Sequence, residues 1–178
     1  MLSKVKAVML CLSLGLLIDV SRSHAETFQA SAPVALVEDV SVGRILMQKN
    51  ADRPIAPASM TKVMTAYVTF DLIDQGKMRL EQVITVSPSV WKIWHGTTMF
   101  LRAGEAVSVE NLLKGMLAVS GNDATYALTA SIPGGLNVFV ALMNKEDRSI
   151  GLADSYFSSP NGWALSLRNC PQGNAFSL

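Results

Sequence analysis

Cysteine and histidine are nearly missing from this sequence: its 178 residues hold two of each. The cysteines are Cys11 and Cys170, and the histidines are His24 and His95. No C-x-x-C pair exists, which excludes a dithiol redox motif and a cysteine zinc cluster. A Ser-His-Asp triad would have to use His95, and the surrounding Trp94-His95-Gly96-Thr97 reads as a surface loop with an incidental histidine. For an activated serine, lysine is therefore a better candidate base than histidine. Charge is also scarce. Charged residues make up 16% of the chain, the net charge is +1, and no basic stripe is present, so nucleic acid is not an expected partner. Phosphate-loop and dinucleotide glycine fingerprints are absent, as are internal repeats. Neither a metal nor an organic cofactor is implied. What is abundant is apolar surface: 49% hydrophobic content excludes a disordered chain and is enough for one domain with a sizeable core.

Part of that apolar content lies in a leader. Lys4 and Lys6 form a basic start, Ala7 to Ile18 is mostly apolar, and Ser23-His24-Ala25 supplies the small residues that a signal peptidase reads. The apolar run is too short to span a membrane and is interrupted by Asp19. Cys11 lacks the preceding small residues of a lipidation site. Residues 1–25 are therefore expected to be a cleaved signal peptide, and the protein to be exported to the periplasm or cell envelope. It would be soluble there if the chain ends at Leu178. Cleavage removes three basic residues and one acid, leaving a net charge near −1 and a single cysteine, so no internal disulfide can form.

The rest is organised around Ala56 to Phe70. Pro57 favours a helix starting just beyond it, and Ser59 onward is free of glycine and proline until Gly76, a natural helix terminator. Met60, Val63, Met64, Tyr67, Val68 and Phe70 surround most of the helix circumference, which predicts a buried helix. Ser59 and Lys62 are three residues apart, one turn along a single face. A desolvated lysine loses its proton more readily and can deprotonate a neighbouring hydroxyl. The plainer reading makes Ser59 an N-cap and lets Lys62 reach water along its stem. Because Ser3-Lys4-Val5-Lys6 and Ser89-Val90-Trp91-Lys92 repeat the spacing, it does not decide between the two.

Around this helix, Ala35 to Glu38 and Arg44 to Met47 read as a β-hairpin. Gln82 to Val86 is a short strand, and Trp91 to Gly104 is irregular or partly helical, with Trp91 and Trp94 expected to pack. Ser108 is a candidate N-cap for a helix carrying Leu112, Leu113, Met116 and Leu117. Ser120-Gly121-Asn122-Asp123 interrupts the apolar pattern. On its own this is a helical corner with Asn122 or Asp123 as N-cap. Helical spacing resumes to Ala130, Pro133-Gly134-Gly135 stops it, and a last helix runs from Asn137 to Ile150. Ser159-Pro160-Asn161-Gly162 is a turn.

Taken in order, Ser59-Met60-Thr61-Lys62 and, about 60 residues on, Ser120-Gly121-Asn122 resemble the S-x-x-K and S-x-N motifs of active-site serine penicillin-binding proteins. Ala56-Pro57-Ala58 before the first motif, Thr98-Met99-Phe100-Leu101, and Leu112 to Ala124 are similar to the low-molecular-weight, serine-type D-alanyl-D-alanine carboxypeptidases. The likeness covers roughly Ala35 to Trp163. It implies an α/β (α+β) fold of the β-lactamase/transpeptidase type: an N-terminal hairpin plus a mostly helical part. By the same resemblance Ser59 is the nucleophile, with its own N–H as one oxyanion donor. Lys62 is the base, Ser120 relays a proton to the leaving D-alanine, and Asn122 hydrogen-bonds the substrate amide. The implied substrate is the peptidoglycan pentapeptide, with β-lactams as covalent inhibitors.

The sequence departs from that pattern after Asn122, where no K-T-G, H-T-G or K-S-G follows. That motif binds the substrate carboxylate in the family, and its strand gives the second oxyanion donor, the loss of which costs about 10²–10³ in rate. The expectation is a partial catalytic domain over 26–163, lacking the C-terminal strands of the sheet and the membrane anchor, with a divergent tail at 164–178 from a frameshift or early stop. Two other readings stand beside the carboxypeptidase. One is an inactive remnant that folds poorly or binds cell-wall peptides. The other is a class A β-lactamase, disfavoured because Gly121 takes the place of the aspartate in S-D-N and no E-x-x-L-N stretch follows.

Overall fold

The computed structural model describes residues 30–93, 96–152 and 154–163. The leader, Trp94, His95, both cysteines and the tail 164–178 lie outside the described residues. The chain divides after Lys49 into two compact units.

In the first unit, β1 (Ala35–Asp39) pairs antiparallel with β2 (Arg44–Lys49), each a little longer than the sequence suggests. The register runs Val37 opposite Met47 and then Glu38 opposite Ile45, so Leu46 is the extra residue of a bulge. The turn is set by Asp39, whose carboxylate accepts the Ser41 N–H at 3.0 Å and its hydroxyl at 2.6 Å. Gly43 adopts φ +63° at the end of the turn. Val37, Ile45 and Leu46 are exposed.

The second unit, from Asn50 onward, is built on α1 (Thr61–Asp74), which packs against α3 (Val109–Ala118), α4 (Asn122–Ala130) and α5 (Gly135–Ser149). Its core joins Met64, Val68 and Leu72 of α1 to Leu112 and Met116 of α3, Leu128 of α4, Phe139 and Met143 of α5, and Phe157 beyond. A six-residue helix, α2 (Pro88–Ile93), is capped by the Ser87 hydroxyl, which accepts the Val90 N–H at 3.2 Å. The strand β3 (Val83–Thr85) pairs antiparallel with β4 (Ala106–Ser108), with Ile84 opposite Val107. Ser108 ends β4 and also caps α3, accepting the Asn111 N–H at 3.3 Å.

Two expectations are corrected. The first is that α1 would be buried nearly all round. Its inward face carries Thr61, Thr65 and Thr69 as well as Met64 and Val68, whereas Met60, Val63, Tyr67 and Phe70 are exposed. The threonines can be buried because the Thr65 hydroxyl donates to the Pro160 carbonyl at 2.6 Å and that of Thr69 to the Thr65 carbonyl at 2.8 Å. The second concerns Trp91, which is 44% exposed rather than packed away.

Candidate active site

Ser59 sits in a 3-10 turn, Ala58–Met60, immediately before α1, whose N-cap is Met60. It is not the N-cap of the plainer reading, since the chain is already helical at Met60. Ala58 adopts φ +48°, unusual for a residue with a Cβ, and the turn closes through the Met60 N–H to the Pro57 carbonyl at 3.0 Å. The strained entry leaves Ser59 exposed at the surface of the unit.

Lys62, one turn further, does not reach water along its stem: it is 3% exposed. Its Nζ donates to Ser59 Oγ at 3.3 Å and to Ser120 Oγ at 3.1 Å. Among the described residues no carboxylate pairs with it. Desolvation without a counter-charge holds the amine below the 10.5 of a free lysine, which favours the neutral, proton-accepting form.

Ser120 reaches this amine because the α3–α4 junction is sharply bent. Ser120 has φ +56°, and the Gly121 N–H bonds back to the Gly115 carbonyl at 3.1 Å. The N-cap of α4 is Gly121, so neither Asn122 nor Asp123 has that role. The Asn122 N–H donates to the Thr97 carbonyl at 2.8 Å. The Asp123 carboxylate turns sideways and accepts the Thr98 hydroxyl, the Met99 N–H at 3.0 Å and the Leu101 N–H at 2.9 Å. The 97–101 loop is thereby bound to the first turn of α4.

The turn after α5 closes the other side. Asn144 clamps Phe157, donating to its carbonyl at 2.7 Å and accepting its N–H at 2.8 Å. Gly162, at φ +74°, lies so close to the turn carrying Ser59 that a Cβ there would overlap the Ala58 carbonyl. Asn161, 4% exposed, donates from Nδ2 to Asn122 Oδ1 at 3.2 Å. Burial raises the Tyr126 phenol above its ordinary value.

Lys62 thus contacts both Ser59 and Ser120, and Asn122 lies two residues beyond Ser120 on the same corner. Sequence reasoning missed Asp123, Asn161 and Gly162. The Pro160-Asn161-Gly162 turn signal was visible, but its position against the site was not.

Chemically, the cluster is an exposed hydroxyl beside a desolvated amine whose pKa burial lowers, with a second hydroxyl in contact with that amine. The D-alanyl-D-alanine carboxypeptidase family (Peptidase S11) matches residues 20–169. DacA of Haemophilus influenzae, a D-alanyl-D-alanine carboxypeptidase, is 38% identical over 136 residues, covering 75% of this chain and 35% of its own length. DacF of Bacillus subtilis, of the same description, is 34% identical over 144 residues, covering 81% and 36%. The crystal structure of penicillin binding protein 5 from Haemophilus influenzae superposes with a TM-score of 0.75 at 34% identity, over 84% of this chain and 43% of that one. The chain spans about a third of the length of these two curated relatives. The match runs through the Ser59 turn, the α3–α4 corner and the turn after α5 alike, and the chain belongs to the D-alanyl-D-alanine carboxypeptidase family.

Proposed function

We propose that this chain performs the acylation chemistry of a serine-type D-alanyl-D-alanine carboxypeptidase. The observation that carries the reading is the buried Lys62 amine in contact with both the Ser59 and Ser120 hydroxyls. Ser59 Oγ attacks the carbonyl carbon of the penultimate D-alanine as Lys62 Nζ takes its proton. The peptide C–N bond then breaks, and the departing D-alanine nitrogen receives a proton through Ser120. Asn122 hydrogen-bonds the amide of the stem peptide. Water releases the shortened peptide from the acyl-enzyme. A β-lactam ring presents the same kind of carbonyl, so it acylates the same oxygen. The basic, apolar and small-residue order of residues 1–25 supports export to the periplasm or cell envelope, where peptidoglycan lies.

Labelled penicillin followed by mass spectrometry tests this reading. One equivalent of label is expected on Ser59. Ser59→Ala should abolish it, and Lys62→Ala should slow it by about 10²–10⁴. A cooperatively folded chain that takes up no label, or a Lys62→Ala variant labelled as fast as the unmodified chain, would overturn it. A second reading, a non-catalytic remnant, draws on the exposed apolar face of α1. It predicts a broad, non-cooperative thermal transition by circular dichroism.

A further inference from the structure

Ser120 holds a backbone conformation that its own side chain disfavours: at φ +56° it lies in the left-handed region, where a Cβ crowds the chain. A residue with a Cβ stays there only when its surroundings leave no alternative. The constraint comes from the residues that follow it. The Gly121 N–H bonds back to the Gly115 carbonyl at 3.1 Å, and the Asn122 N–H bonds to the Thr97 carbonyl at 2.8 Å. The corner carrying Ser120 is thus tied on one side to α3 and on the other to the 97–101 loop.

Asp123 locks that loop in place. It is 1% exposed, and each of its carboxylate oxygens accepts from two donors. Oδ1 takes the Met99 N–H at 3.0 Å and the Ala124 N–H at 2.8 Å. Oδ2 takes the Thr98 hydroxyl and the Leu101 N–H, the latter at 2.9 Å. An ionised carboxylate has the acceptor sites that four donors require. The packing beside it is close: a Cβ on Gly121 would lie 3.1 Å from Asp123 Oδ1 and 3.4 Å from the Met99 nitrogen.

We infer that Asp123 is a positioning residue for proton delivery. By holding the 97–101 loop against the α3–α4 corner, it keeps Ser120 left-handed and its hydroxyl 3.1 Å from the Lys62 amine. The inference rests on the proposed role of Ser120. During acylation the Ser59 proton moves to Lys62. Ser120 gives its own proton to the departing nitrogen as the C–N bond breaks, and Lys62 reprotonates Ser120. An amine cannot leave without that proton, whereas the sulfur of a thioester leaves as a thiolate. A disturbed Asp123 should therefore slow cleavage of an amide selectively.

Asp123→Asn keeps the side chain's shape and breaks its match. Whichever way the carboxamide turns, its NH₂ faces a backbone N–H that can only donate. The test compares a peptide ending in D-alanyl-D-alanine with its thioester analogue, which has sulfur in place of the terminal D-alanine nitrogen. The readout is kcat/KM, which reports acylation for both. In Asp123→Asn the peptide value should fall roughly tenfold or more, while the thioester value stays within about threefold. Adding Asp123→Asn to Ser120→Ala should cause no further loss with the peptide. Thr98→Val withdraws a single donor and serves if Asp123→Asn does not fold; it should show the same selectivity with a loss of roughly fivefold. Equal losses with both probes, or no loss with the peptide, would overturn the inference. If the unmodified chain turns over neither probe, it is the proposed function that fails, and the clamp is then read by NMR. Scalar couplings should give Ser120 a positive φ in the unmodified chain and a negative one in the variant. A Ser120 that stays left-handed after the Met99 and Leu101 amides lose their protection from hydrogen exchange would sink the clamp.

Discussion

At the scale of single residues, the burial of Lys62 has a measurable consequence. An amine released from water with no carboxylate beside it gives up its proton below the 10.5 of a free lysine. The unfolded chain keeps that proton up to the ordinary value. Between the folded and the unfolded pKa the unfolded state therefore binds more protons, and stability rises with pH. Below the folded pKa both states are protonated and the cost of burying the charge is fully present. Acylation should follow the folded titration, rising with slope one and levelling off before pH 10.5. Stopped-flow measurement of penicillin acylation between neutral and alkaline pH checks this. A rate that keeps climbing past the free-lysine value would show that Lys62 is not desolvated in solution. The residues behind this prediction were singled out by their resemblance to S-x-x-K and S-x-N, motifs that lie within short segments; spacing alone left the plainer reading of Ser59 and Lys62 standing. Asn161 was not legible. Its partner is 39 residues away in sequence, and a Pro-Asn-Gly turn looks the same whether it faces solvent or a site.

At the scale of elements, the four longer helices were readable, α2 was not, and the small sheet only in part. Ser108 announced α3 by its cap and Gly76 the end of α1, since both act through local backbone bonds. β4 has three residues and is defined only by pairing with β3, so no alternation was long enough to reveal it. The orientation of α1 was also hidden. Apolar residues lie on both faces, so hydrophobic pattern alone cannot choose the inward one. The choice falls to hydrogen bonds: Thr65 and Thr69 find acceptors inside, and Thr65 ties α1 to the Pro160 turn. Thr65→Val is close to isosteric but leaves the Pro160 carbonyl without this donor. It should lower stability by about 1–3 kcal/mol. Acylation by benzylpenicillin should fall as well, because Gly162 of that turn packs against the Ala58 carbonyl just before Ser59. A denaturation midpoint unchanged from the unmodified chain would mean that the threonine stripe does not set the helix's rotation.

At the scale of the whole molecule, the same rotation leaves apolar surface outside. Met60, Val63, Tyr67 and Phe70 recur at spacings of three and four and form one exposed stripe. Beside Phe70, a groove of about 500 Å³ is lined by Leu80, Leu113 and Leu117. Scattered exposed apolar residues are ordinary, but a contiguous stripe running into a groove is not. Water gains by covering such a surface, so the chain should bind an apolar dye and lose solubility as salt is raised. Val63→Lys with Phe70→Lys separates this effect from folding. Val63 is 67% and Phe70 51% exposed, so little core packing is lost, and lysine is a better helix former than valine or phenylalanine. The double variant should bind several-fold less anilinonaphthalene sulfonate and resist salting out, with a thermal midpoint equal to or above that of the unmodified chain. Dye binding that persists in the variant would place the apolar surface elsewhere, whereas a lost melting transition would show that the stripe is part of the core.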